Sequence, residues 1–94
     1  MNVMWKNHPY HIKFMHKLSD EKNRKKRRFL TYCFIYMDKK EKPFSTGISK
    51  LNPIDELNRN MGKLHALLNA LLKARAKRDV RIIFFNEFHK NFKI

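Results

Sequence analysis

Apolar residues in this chain gather in five groups, and the spacing within each predicts a backbone state. In the first group Tyr10, Phe14 and Leu18 recur every four residues, with Ile12 and Met15 in the adjoining rows. That spacing predicts a short amphipathic helix after Pro9. In the second, Phe29-Leu30-Thr31-Tyr32-Cys33-Phe34-Ile35-Tyr36-Met37 is mostly β-branched or aromatic on both alternating sets, the pattern of a central strand covered on both faces. A polar stretch from Asp38 to Pro43 has hairpin length. Beyond it Phe44, Thr46 and Ile48 alternate with Ser45, Gly47 and Ser49, which predicts a second strand with Gly47 marking a bulge or a close backbone approach.

The sharpest local signal is Asn52-Pro53-Ile54-Asp55. Asn caps a helix, Pro suits its first position, and Asp55 and Glu56 suit the positive end of its dipole, so a helix is predicted to begin at Pro53. Ile54, Leu57, Met61, Leu64, Leu68 and Leu71 step by three and four and are expected to face the sheet. On the opposite side fall Arg59, Lys63, Ala66, Ala70, Lys73 and Lys77, so cations separated by alanines are expected to line an exposed helix face. Gly62 in this helix implies close approach of another backbone or a partner surface. The last group, Val80 to Phe85, reads as a third strand. The tail from Asn86 to Ile94 reads as either a final helical turn or a segment that packs on a partner.

These elements predict one α+β domain over residues 1–94: a small three-stranded antiparallel sheet of order 2-1-3, one long helix packed on it, and a short N-terminal helix. Residues 19 to 28 form a basic connector. A double-stranded-RNA-binding domain, ordered helix, three strands, helix, is disfavoured by the strand expected after the long helix.

Charge changes this picture most. Among 94 residues, 22 are Lys or Arg and 8 are Asp or Glu, a formal net charge of +14. Self-repulsion on that scale in a small domain points to a polyanionic partner. Two features concentrate it. One is the run of Lys22, Arg24, Lys25, Lys26, Arg27 and Arg28; the other is the helical stripe of Arg59, Lys63, Lys73 and Lys77, extended by Arg75 and Arg78. Both are candidate contacts to phosphates or to an acidic protein. Tyr32, Tyr36, Trp5 and Phe85 would offer stacking surfaces if exposed, but most of these rings are expected in the core, which leaves single-strand binding without support from the sequence.

Other chemistry is poorly represented. Cys33 is the single cysteine, and inside a central strand it is expected to be a small inert hydrophobe. Its isolation excludes an internal disulfide framework and points to a reducing, intracellular setting. His8, His11 and His16 match no familiar ligand spacing, so no metal is expected. The acids are scattered, neither glycine belongs to a phosphate loop, and the expectation is a protein without catalytic residues or cofactor. No apolar run is long enough to span a bilayer, and no membrane partner is expected.

From Pro43 to Leu72 the string Phe44-Ser45-Thr46-Gly47-Ile48-Ser49, then Asn52-Pro53-Ile54-Asp55, Asn58-Arg59, Gly62-Lys63, Ala66 and Ala70 resembles a group of small bacteriophage proteins to which no activity is assigned. Where that group carries more Ala and Arg in the helix, this chain has Leu67, Leu68, Leu71 and Leu72. The resemblance implies a phage accessory protein acting in the cytoplasm of a bacterial host. Two functions are expected from it and from the charge: nucleic-acid binding through the basic helix face, or inhibition of a nucleic-acid-handling host protein, including a CRISPR effector, as an anti-CRISPR or other anti-defence factor. The oligomeric state is left open.

Overall fold

The computed structural model describes residues 1–18, 29–51 and 59–92. It is an α+β arrangement of four strands followed by two helices: β1 (Asn2–Trp5), β2 (His8–Leu18), β3 (Phe29–Met37), β4 (Ser45–Leu51), α1 (Arg59–Lys73) and α2 (Arg78–Asn91). The sheet is antiparallel throughout, and its spatial order is the chain order, β1-β2-β3-β4. Both helices lie on one face.

Three expectations about the fold are corrected. The N-terminal segment is a hairpin and not a helix, so the sheet has four strands and the order 2-1-3 does not occur. In β2 the residues Tyr10, Ile12, Phe14 and His16 alternate inward while His11, Lys13 and Lys17 point out. A four-residue recurrence is also a multiple of two, and Ile12 between Tyr10 and Phe14 is the position that decides for a strand. The turn at Lys6 and Asn7 has positive φ at both residues (49° and 63°), which is the type I′ geometry that matches strand twist.

The second correction is at residues 80–85, which belong to α2 and not to a strand. Val80, Phe84, Phe88 and Phe92 step by four. Phe84 and Phe88 are buried, and their rings meet Tyr10 and Phe14 edge-on at 5.6 and 6.1 Å. Burial of this stripe overrides the β-propensity of Ile82 and Ile83, both of which are exposed. The long helix also ends earlier than expected, at Lys73. Arg75 takes a positive φ of 59°, the Ala76 amide donates to the Leu71 carbonyl at 2.9 Å, and the Arg75 amide donates to Leu72 at 3.0 Å. That is a Schellman stop. The helix start expected at Asn52-Pro53 lies outside the described residues.

The third correction is the roll of α1. Its buried residues are Gly62, Ala66, Leu67, Ala70 and Leu71; of the stripe expected to face the sheet, Leu71 is buried, Leu64 and Leu68 are half-buried and Met61 is exposed, while Ile54 and Leu57 lie outside the described residues. The alanines expected outside are therefore the contact surface. They face Ser45, Gly47 and Ser49, the small set of β4, and a Cβ at Gly47 would overlap the Ala66 carbonyl oxygen and the Ala70 amide nitrogen. Gly47 marks a close approach and not a bulge, because the β3–β4 register runs unbroken from Phe29↔Leu51 to Ile35↔Ser45. Small residues on both sides let two backbones meet, and Ser45 Oγ uses the proximity to donate a 2.7 Å hydrogen bond to the Ala70 carbonyl.

Candidate nucleic-acid interface

The same register that builds the core defines the other side of the sheet. Cross-strand partners share a face. With Tyr10, Ile12, Cys33 and Ile35 beneath the helices, the opposite face carries His11, Lys13, Met15 and Lys17 from β2, then Leu30, Tyr32, Phe34 and Tyr36 from β3, then Thr46, Ile48 and Lys50 from β4. Neither helix packs there. β3 was expected to be covered on both faces; among the described residues it is covered on one, and the aromatic set on the other is half-buried by its neighbours.

Rows across the sheet set the geometry. Lys13 lies opposite Phe34, His11 opposite Tyr36, and Lys17 and Lys50 flank Leu30. The rings of Tyr32 and Phe34 are parallel to within 10° at a centroid distance of 6.2 Å, and the His11 and Tyr36 rings lie 6.5 Å apart. His11 Nδ1 is 2.8 Å from Asn2 Oδ1, which steadies the imidazole at the β1 side. Met15 and Ile48 are 46% and 44% exposed on either side of Tyr32, so apolar surface runs across β2, β3 and β4 in this row. Lys13, Lys17 and Lys50 are exposed, and no Asp or Glu occurs among these positions. The face therefore offers aromatic surface with a positive border. An anion bearing flat groups matches it.

The residues singled out by charge alone are dispersed. Lys22, Arg24, Lys25, Lys26, Arg27 and Arg28 lie outside the described residues. Arg59 and Lys73 are exposed at opposite ends of α1, Arg75 and Lys77 lie in the connection that follows, and Arg78 opens α2. Lys63 sits within the buried arc of α1. Its ammonium is 4.3 Å from the centroid of the Phe92 ring and 5.9 Å from that of Phe14, so it escapes along the edge of the core and does not stand on an outward face. These cations do not form one continuous helical stripe.

Other titratable groups have local roles. Cys33 has no exposed surface, and burial pushes its thiol up to about 12. It stays protonated and out of reach. His8 pairs with Asp38 at 3.5 Å, and His11 occupies the open face. His16, on the helix side, shares a 3.0 Å hydrogen bond with Thr31 Oγ1 through Nδ1. Its Nε2 is buried and has no partner among the described residues; burial, with Lys63 and Arg59 adding to it, lowers its pKa. No helix among the described residues is long and apolar enough to cross a membrane.

Tyr32 and Tyr36, two of the four rings that the sequence offers for stacking, lie half-buried on this face with Phe34, which the sequence did not single out, because inward and outward residues of β3 are equally apolar. The usable signal was in the strands beside it: Lys13 and Lys17 alternate with Ile12, Phe14 and His16, so β2 has a wet face, and β3 must share it. Comparison with family models, curated proteins and solved structures yields no match to this chain.

Proposed function

We propose that this protein binds single-stranded nucleic acid, without catalysing a reaction, on the open face of its sheet. The observation that carries this reading is the parallel, outward Tyr32 and Phe34 pair on β3, bordered by Lys13, Lys17 and Lys50, with no acid among the described strand residues of that face. Base stacking on aromatic side chains is worth roughly 1–3 kcal/mol per base and needs bases freed from a duplex. Lysines supply a border for the phosphates, and the net charge of +14 supplies long-range attraction. The basic helix face first expected to carry binding is replaced by the sheet in this reading, because Ala66 and Ala70 are buried and Lys63 is folded over rings.

The test is a salt titration of binding to a single-stranded oligothymidine and to a duplex of matched length. The single strand should bind more tightly, with affinity falling as salt rises by about 0.7 log units per log unit for each phosphate engaged. Phe34→Ala should weaken binding about tenfold at all salt concentrations, the loss of one stacked base. Lys13→Gln and Lys50→Gln should each lower the salt slope. Preference for the duplex, or indifference to all three substitutions, overturns the proposal. A stoichiometric protein partner that protects this face after nuclease treatment would instead favour the inhibitor reading.

A further inference from the structure

On the helix side of the sheet, where the β1–β2 turn meets the α1–α2 connection, a cleft of about 360 Å³ opens. It lies within the size range of small-ligand sites, about 300–1,000 Å³. Its walls include Trp5, Tyr10, Phe44 and Phe84. Tyr10 is the common neighbour: its ring centroid lies 6.1 Å from Trp5, 6.2 Å from Phe44 and 5.6 Å from Phe84. Phe44 remains 54% exposed beside this cluster, a large ring that the described residues leave uncovered.

Three exposed cations, Lys6, Arg75 and Lys77, line the same cleft, where Asp79 is the one acid among the described lining residues and Asp38 lies close enough to Tyr10 to act on it. Two of them sit where the backbone would favour other residues. Lys6 has φ 49° in a type I′ turn that prefers Asn or Gly, and Arg75 has φ 59° at the helix stop that prefers Gly. Left-handed conformations of long side chains are uncommon, and they cluster at ligand sites. Here both flank one aromatic cavity, and Lys6 Nζ already stands 4.9 Å from the Trp5 ring centroid.

We propose that this cleft binds a small planar aromatic phosphate of the mononucleotide class, the ring among Trp5, Tyr10 and Phe44 and the phosphate against Lys6, Arg75 and Lys77. This site is on the opposite side of the sheet from the strand-binding face and is independent of it. Arg presents a planar fork to phosphate and Lys a point charge, so the two together suit a terminal phosphate.

Trp5 is the single tryptophan, so its emission reports on this cleft. The probes are adenosine 5′-monophosphate, adenosine, which lacks the charge, and ribose 5-phosphate, which lacks the ring. The monophosphate should change Trp5 emission saturably, with each half-ligand at least about tenfold weaker, since loss of a charge-assisted contact is of that order. Arg75→Gly, which the turn accommodates, and Lys77→Gln should each weaken the monophosphate about tenfold, while Phe34→Ala on the open face leaves it unchanged. No saturable change at millimolar monophosphate, equal affinity for adenosine, or wild-type affinity in Arg75→Gly overturns the proposal. A loss of oligothymidine binding in Phe34→Ala with monophosphate binding intact would separate the two sites, and sensitivity of the monophosphate to Phe34→Ala would count against this one.

Discussion

Gly47 of β4 lies directly against the Ala66 carbonyl of α1, with the Ala70 Cα 2.9 Å from where a Gly47 Cβ would stand. The neighbours are backbone atoms, which cannot rotate aside. Gly47→Ala must therefore push the helix off the sheet, at a cost of about 2 kcal/mol or more. In a domain of this size the midpoint of thermal unfolding should fall by roughly 10 °C, readable by circular dichroism.

Ser45 tests the same junction more gently. Its hydroxyl donates to the Ala70 carbonyl, which also accepts the Ala74 amide at 3.0 Å. Ser45→Ala removes one bond without orphaning the acceptor and adds no volume. Chemical denaturation should report a loss of about 1 kcal/mol with an unchanged slope.

Arg75→Gly should act in the opposite direction. At φ 59° an arginine carries a left-handed cost of about 1 kcal/mol that glycine avoids. Part of that gain is offset by the greater freedom glycine has when unfolded. The variant should melt a few degrees higher than the parent, measured without ligand. A lower melting temperature would show that the Arg75 side chain is held by contacts that stabilise the turn.

His16 gives the pH prediction. Its pKa in the folded protein lies below the ordinary 6.5, through burial first and through Lys63 and Arg59 second. The unfolded chain therefore takes up the proton first as pH falls, and the folded state loses stability from about pH 6.5 downward until the folded pKa is passed. Above that window the contribution is fully present. His16→Gln should flatten this part of the stability profile between pH 7 and the folded pKa, followed by thermal melts at constant ionic strength.

The legible parts of the fold were those where one period stood alone. β3 and β4 were readable because nine consecutive strand formers are followed by a hairpin-length polar stretch and a strictly alternating segment. The N-terminal hairpin is hidden in the sequence because Tyr10, Phe14 and Leu18 satisfy both periods. The roll of α1 was hidden for a different reason. The apolar residues of this helix span a wide arc, from Gly62, Ala66 and Ala70 through Leu67 and Leu71 to Leu64, Leu68 and Met61, and hydrophobicity ranks the leucine end first. The roll was set by β4, whose Ser45, Gly47 and Ser49 let the backbone of α1 approach at Ala66 and Ala70, with Leu67 and Leu71 buried beside them. For the site, charge drew attention to cations on α1, while the open sheet face was set by which side the helices left uncovered. That is a tertiary fact.

The agreement of spatial strand order with chain order also has a consequence for biosynthesis. Each strand can pair with its predecessor through a hairpin as it emerges, so the sheet needs no distant segment to assemble. The residues that cover Ile12, Cys33 and Ile35 come last, from Ala66 to Phe88. Until then the nascent chain carries a greasy underside on a preformed platform, and the docking of α1 and α2 is the step that seals it.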